Sequence, residues 1–120
     1  STTVAMLSRI FAEAEKKPTV LCGAPVSENL GVIFGSREYI ILEACEYGRS
    51  FLKLRPDMLL LLNVELDHTD YFSGADELCN SFLAAANLAE KFTVINADDG
   101  NLKKIIPRIE QLFAVDVGFF

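Results

Sequence analysis

The chain has no tryptophan, only one histidine and no cluster of basic residues. With a formal net charge of −6, it offers no basic surface for phosphates, which argues against a nucleic-acid-binding protein. No apolar run approaches the roughly 18 residues of a membrane-spanning helix. The sequence also shows no basic-then-apolar leader, so we predict neither a membrane protein nor a secreted one.

The cysteines give no sign of a disulfide framework or a structural zinc site. Cys22, Cys45 and Cys79 are odd in number, widely spaced and form no CxxC pair. Such thiols are typical of proteins in a reducing compartment. We therefore predict a cytoplasmic protein.

Composition indicates one compact globular domain. The 120 residues are 51% apolar and 23% charged, which is ordinary for an α/β protein and unlike a disordered one. The acidic balance does not exclude ATP, because proteins also bind nucleotides through Mg²⁺ and backbone amides.

Apolar periodicity predicts strands alternating with helices. We expect helices after the hydroxyl residues Ser1, Thr2 and Thr3, at 75–90 and from 102 to about 113, with Pro107 producing a kink or two short helices. Residues 48–54 predict one or two further helical turns. Strands are expected at 19–22, 31–35, 39–44, 58–64, 92–95 and 114–120, with a turn at 36–38.

This order predicts an α/β fold with a mostly parallel, doubly wound sheet. Such a sheet usually begins with a strand, whereas this chain begins with a predicted helix. We therefore expect a truncated front edge and, because open edges pair readily, self-association.

The end of the predicted strand at 58–64 is the first candidate site. Its apolar run is predicted to be buried on both faces, and Glu65, Asp67, His68 and Asp70 follow it closely. Ligands of open α/β sheets bind beyond the carboxyl ends of the strands. His68 therefore lies where a ligand is expected, although a loop or capping role explains a single histidine equally well.

Glu43 ends another predicted buried strand, where a carboxylate needs a partner. If the two strands are neighbours, Glu43 and His68 converge at one edge, and a carboxylate with one imidazole suits Mg²⁺ or Mn²⁺ better than structural zinc. The chain contains no G-x-x-x-x-G-K phosphate-binding loop. Ser1 nevertheless precedes a helix, as does the Mg²⁺-binding hydroxyl of such loops.

Two other polar groups have structural interpretations that remain open. Glu46, Arg49 and Lys53 suit a solvated helix face with ion pairs. Asn96, Asp98 and Asp99 suit a turn and helix cap as readily as a binding loop.

Four segments together resemble the ATP-binding central domain of the Mur ligases. They are STTVAML, LEACEYGRSFLKLRPD, LLNVELDHTDYF and VINADDGNL, and the resemblance runs from Ser1 to about Leu102. It implies a fold of the P-loop NTPase type, with residues 1–120 as part of that domain. The family's UDP-binding N-terminal domain, its C-terminal domain and the glycines and lysine of its P-loop are not in this sequence.

The resemblance also implies residue roles. Ser1 and Thr2 would belong to the nucleotide site, with Ser1 and Glu43 as Mg²⁺ ligands. His68 would serve a second metal and the acyl phosphate. The muramoyl and amino-acid side would be lined by Asn29, Glu46 and Arg49.

The branch of the family that these segments most resemble joins L-alanine to UDP-N-acetylmuramate, with ATP and Mg²⁺ as cofactors, in the bacterial cytoplasm. The chain alone is then expected to be inactive. Two alternatives stay open: a ligase that attaches a recycled peptide to the same sugar, and a non-catalytic α/β binding module.

Overall fold

The computed structural model describes residues 1–25, 31–65 and 71–110. The chain divides into two compact units, Ser1–Ala44 and Cys45–Phe120. Within the described ranges, no helix has both the length and the apolar character that a membrane crossing requires. The predicted strand at 114–120 lies outside the described residues.

The first unit is a helix on a small mixed sheet. It contains α1 (Thr2–Glu13), β1 (Pro18–Leu21), β2 (Val32–Ile33) and β3 (Ser36–Leu42). The strand order is β2-β1-β3, with β1 antiparallel to β2 and parallel to β3. Val4 of α1 and Val20 of β1 are buried in this unit, and Phe11 packs edge-on against Tyr39 at 5.3 Å between ring centroids.

Helix α1 differs from the prediction at both ends. Thr2 and Thr3 lie inside it, and the residue at its N-cap position, Ser1, makes no side-chain capping bond. The helix ends at Glu13, before Lys16 and Lys17. Glu15 and Lys17 then adopt positive φ angles of 57° and 47°, which turns the chain into β1.

The turn predicted at 36–38 is instead the first part of β3. The Ser36 amide donates to the Lys17 carbonyl at 2.7 Å, which starts the pairing before the expected position. Gly35 makes this approach possible, because a β-carbon there would lie 2.2 Å from the Lys17 carbonyl oxygen. The early pairing is accompanied by a register shift between Pro18 and Thr19.

The prediction that strands 39–44 and 58–64 are buried on both faces is wrong for this chain. In β3, Ile40 is 61% exposed, and its neighbour on the same face, Leu42, is also exposed. The second run forms a strand only as far as Leu61, with Met58 and Leu60 exposed. An apolar run shows that a strand can be covered on both faces, but the covering layer has to come from elsewhere in the fold.

The second unit contains a parallel strand pair and short helices. Its elements are a 3₁₀ helix at Tyr47–Lys53, β4 (Met58–Leu61), α2 (Ala75–Ala86), β5 (Phe92–Ile95), α3 (Leu102–Ile105) and a 3₁₀ helix at Ile106–Arg108. Strands β4 and β5 are parallel. Helix α2 is shorter than predicted, and the two short helices around Pro107 confirm one of the two expected outcomes.

Helix α2 supplies the apolar face of the core in this unit. Leu78, Leu83 and Ala86 are buried, and Phe82 is partly buried. They pack with buried residues of the strands, the short helices and the segments that connect them: Leu61, Val64, Phe72, Ile95, Leu102, Ile105 and Ile109.

The loop after β5 is bonded to the chain after β4. The Asn96 amide donates to the Leu61 carbonyl at 2.9 Å, and the Asn101 side-chain amide donates to the Val64 carbonyl at 2.8 Å. Asp99 Oδ1 accepts the amides of Asn101 and Leu102 at the start of α3, at 3.0 and 2.8 Å. Of the two interpretations left open for Asp99, these bonds support the turn before the helix, while the N-cap residue of α3, Asn101, makes no side-chain capping bond.

The N-terminus of α2 is bonded through Glu77. Its carboxylate accepts the Ser73 hydroxyl at 2.7 Å and the Ser73 amide at 2.8 Å, and it forms an ion pair with Arg49. The Ser73 hydroxyl first, then its amide and the Arg49 charge, hold the pKa of Glu77 below its ordinary value.

We predict that Asp99→Ala lowers the free energy of unfolding by about 1 kcal/mol, because the backbone amides of Asn101 and Leu102 lose their acceptor. Urea unfolding followed by circular dichroism measures the change. Asp98→Ala is the matched control, since the Asp98 side chain is exposed and only its backbone amide bonds to Asn96. Equal losses in both variants would contradict this role of Asp99.

We also predict that the stability lost in Glu77→Gln depends on pH. The folded pKa of Glu77 lies below the ordinary 4.5, so its stabilising contribution is complete above about pH 4.5 and declines as the pH falls through the folded pKa. The urea midpoints of wild type and variant should therefore converge as the pH is lowered. Asp76→Asn, at an exposed position in the same helical turn, is the control. A constant difference at every pH would contradict the prediction.

Candidate functional site

Glu43 lies one residue beyond β3, at the edge where β1 also ends. Because β1 and β3 are parallel, their carboxyl ends meet at this edge. The Glu43 amide donates to the Leu21 carbonyl at 2.8 Å, which extends the ladder and fixes where its side chain starts. Cys22 and Gly23 follow β1 directly and face the Glu43 carboxylate.

The carboxylate of Glu43 collects donors from three sides. Its Oε1 accepts the Ser1 α-amino group at 2.6 Å and the Ser1 hydroxyl at 2.9 Å. Its Oε2 accepts the Gly23 amide at 2.8 Å and the Cys22 thiol at 3.1 Å, with the Ser1 hydroxyl at 3.0 Å. Helix α1 and both strand ends therefore meet at one side chain.

These donors keep the carboxylate ionised. The Ser1 α-ammonium group, then the Cys22 thiol and the Gly23 amide, lower the pKa of Glu43 to about 2. The hydrogen bond to Glu43 in turn raises the pKa of the Ser1 α-amino group. The Glu43 side chain is 31% exposed, so an ion from solution can reach this negative charge.

The oxygens at this edge fit a magnesium ion. Glu43 Oε1 and Ser1 Oγ lie 2.9 Å apart, and neighbouring ligands of octahedral Mg²⁺ are separated by about 2.9 Å when each lies about 2.05 Å from the metal. Mg²⁺ typically takes one or two protein oxygens and completes its shell with water and phosphate.

Nothing in the described ranges adds a denser metal site. No group of three or more histidine, cysteine, aspartate or glutamate side chains there is arranged to hold a metal ion. His68 and Asn29 lie outside the described residues, so the convergence of His68 with Glu43 stays a prediction. Thr2 is the exposed first residue of α1.

Glu46 and Arg49 belong to the second unit, where they flank a sharp bend. Glu46 precedes the 3₁₀ helix at Tyr47–Lys53, and its carbonyl accepts the Arg49 amide at 2.8 Å. Gly48 and Arg49 adopt positive φ angles of 61° and 53°, a conformation that costs a residue with a β-carbon some free energy. The guanidinium of Arg49 bonds to Glu77, and its Nε is buried without a partner among the described residues. The ion pair with Glu77 holds the Arg49 guanidinium at the first turn of α2.

Sequence reasoning named Ser1 and Glu43, which the structure brings into contact, but it did not name Cys22 and Gly23, which bond to the same carboxylate. The rule that pointed to Glu43, that ligands gather beyond the ends of parallel strands, applies equally to the end of β1. What the sequence did not indicate is the pairing of β1 with β3, which brings residues 22 and 43 into contact.

Comparison with known proteins gives relatives over almost the whole chain. A curated UDP-N-acetylmuramate–L-alanine ligase from Caldicellulosiruptor bescii is 43% identical over 112 residues, covering 91% of this chain and 25% of that protein. A protein of the same name from Clostridium tetani is 38% identical over 113 residues, covering 92% and 25%. No family model matches the sequence.

A solved structure shows the same fold. The UDP-N-acetylmuramate:L-alanyl-γ-D-glutamyl-meso-diaminopimelate ligase from Neisseria meningitides aligns with a TM-score of 0.76 and 23% identity, covering 94% of this chain and 41% of that one. The chain spans about a quarter of the length of the two curated relatives. With identities of this size over nine-tenths of its residues, the chain belongs to the Mur ligase family.

Proposed function

We propose that the protein carrying this chain is an ATP-dependent ligase of peptidoglycan synthesis that joins L-alanine to the lactyl carboxylate of UDP-N-acetylmuramate. In this reaction the terminal phosphoryl group of ATP passes to the carboxylate, and the amine of L-alanine then displaces phosphate from the acyl phosphate to form the amide. The names of the curated relatives support this choice of substrates. The chain would form part of the ATP-binding central domain.

The observation that carries the proposal is the contact between Ser1 and Glu43. A hydroxyl and an ionised carboxylate meet at 2.9 Å at the carboxyl ends of two parallel strands, where α/β proteins bind ligands. Both oxygens are hard ligands of the kind that Mg²⁺ prefers. When bound, the metal would offset negative charge on the phosphate oxygens during phosphoryl transfer.

The other residues take the roles that the family resemblance implies. Thr2 would lie at the nucleotide, and His68 would act at the reacting phosphoryl group. The muramoyl and amino-acid side would be lined by Asn29, Glu46 and Arg49. Arg49 would be oriented for this role by its ion pair with Glu77.

The isolated chain is proposed to be inactive and cytoplasmic in origin. Its 120 residues contain neither the glycines nor the lysine of a phosphate-binding loop, so the donors that usually surround the β- and γ-phosphates are missing from this sequence. We therefore place the activity in the full-length protein.

We predict that the full-length protein releases phosphate from ATP in the presence of Mg²⁺, UDP-N-acetylmuramate and L-alanine. Glu43→Gln should lower kcat by about 100-fold or more, because the metal that offsets charge in the transition state would lose its charged protein ligand. His68→Ala should abolish release. Glu38→Gln, at an exposed position of the same strand, is the control and should leave activity unchanged.

The same assay separates the alternatives. Release that requires a tripeptide in place of L-alanine would move the protein to the peptide-attaching branch. No release with either amine would contradict the ligase and favour the binding module. If Glu43→Gln remains fully active, the metal-binding role of this edge is wrong even though the ligase is correct.

We further predict that the isolated chain self-associates. Strand β3 is an edge strand of its described sheet and exposes Ile40 and Leu42, and exposed apolar edges promote strand pairing between molecules. Light scattering should show a mass above that of the 13.3 kDa monomer. Ile40→Lys should shift the distribution toward monomer, whereas Arg37→Lys should not. A monodisperse wild-type monomer would refute the prediction.

A further inference from the structure

The turn after β1 bonds one particular oxygen of Glu43. The Gly23 amide and the Cys22 thiol both donate to Oε2, at 2.8 and 3.1 Å. The thiol has one proton, and its other acceptor in reach, the Ser1 carbonyl, is farther away at 4.0 Å. Oε1 accepts the Ser1 α-amino group, and the Ser1 hydroxyl lies 2.9 Å from Oε1 and 3.0 Å from Oε2.

The backbone of this turn makes close contacts at Cys22 and Gly23. The Cys22 amide donates to the Gly31 carbonyl at 2.8 Å, and a β-carbon at Gly31 would lie 2.5 Å from the Cys22 carbonyl oxygen. A β-carbon at Gly23 would lie 3.3 Å from Glu43 Oε2, which is tighter than ordinary contact. Glycine is therefore needed for space at position 31, whereas a side chain at position 23 would require the Glu43 carboxylate to shift by a few tenths of an ångström.

We propose that Cys22 is a positioning residue for Glu43. With the Gly23 amide, its thiol holds Oε2, so that Oε1 and the Ser1 hydroxyl are presented together to a divalent cation bound with the nucleotide. In this role the thiol acts as a hydrogen-bond donor to Glu43 and does not touch the metal. This inference rests on the proposed function, because it assumes that Glu43 is the metal ligand.

The physical basis is preorganisation. A free carboxylate rotates about its last side-chain bond, and binding a metal through one oxygen then costs the freedom of that rotation. Two donors from the turn after β1 restrict the rotation before the metal arrives. A thiol is a weak donor, so the expected contribution is modest, and serine can replace it because a hydroxyl also donates.

The test is a Mn²⁺ titration of the full-length protein with a non-hydrolysable ATP analogue, followed by electron paramagnetic resonance. Cys22→Ala should raise the Kd for Mn²⁺ by about 3- to 10-fold, the range expected for one lost hydrogen bond. Cys22→Ser should remain within about twofold of wild type. Cys45→Ala, which removes an exposed thiol, is the matched control and should change nothing.

A second measurement reports the hydrogen bond without any change in metal affinity. The infrared S–H stretching band of Cys22, assigned as the difference between wild type and Cys22→Ser, should lie at lower frequency than that of Cys45, because its proton is donated to a carboxylate. The infrared measurement uses only wild type and Cys22→Ser, so it can still be made if Cys22→Ala does not fold. Equal frequencies for the two thiols would overturn the inference.

The outcomes separate this inference from the proposed function. If Glu43→Gln weakens Mn²⁺ binding but Cys22→Ala does not, the positioning role is wrong and the metal site stands. If Cys22→Ser weakens binding as much as Cys22→Ala, the donor is not what matters, and the inference is again overturned. If Glu43→Gln leaves binding unchanged, the metal-binding role itself is wrong.

Discussion

The carboxylate of Glu43 is the contact on which the organisation of the first unit depends. It accepts bonds from Ser1 at the start of α1 and from Cys22 and Gly23 at the end of β1, while its own backbone continues β3. An ionised carboxylate that is partly removed from water needs such donors, because without them nothing offsets the free-energy cost of losing its hydration. As a result, the Ser1 hydroxyl oxygen lies next to the negative charge of Glu43 at this edge of the sheet.

The second unit uses polar side chains in a similar way, to fix backbone rather than to gather charge. Asp99 and Asn101 bond to the start of α3 and to Val64, so the loop after β5 and the chain after β4 are held together. Glu77 does the same for the start of α2 through Ser73 and Arg49. In this unit, packing comes from the apolar cluster that includes α2, and the polar bonds fix the conformation of the loops.

Local pattern predicted much of this architecture. The helix at α2, the break near Pro107 and the strand at β5 follow from apolar period and from the missing amide of proline. The predictions that were wrong concern non-local contacts. Ser36 joins β3 because it reaches the Lys17 carbonyl, and Ile40 is exposed because burial depends on a covering layer that a strand's own residues do not specify.

The sequence by itself determined the types of element and the chemistry of their ends, because hydrophobic period and residue type act over a few neighbouring residues. It placed Glu43 at a strand end and Ser1 before a helix. Only the tertiary structure decided that β1 pairs with β3, and hence that Cys22 and Gly23 bond to the carboxylate that Ser1 also contacts. Strand pairing joins residues about 20 positions apart through backbone bonds that every residue type can make, so side-chain pattern alone does not select the partner.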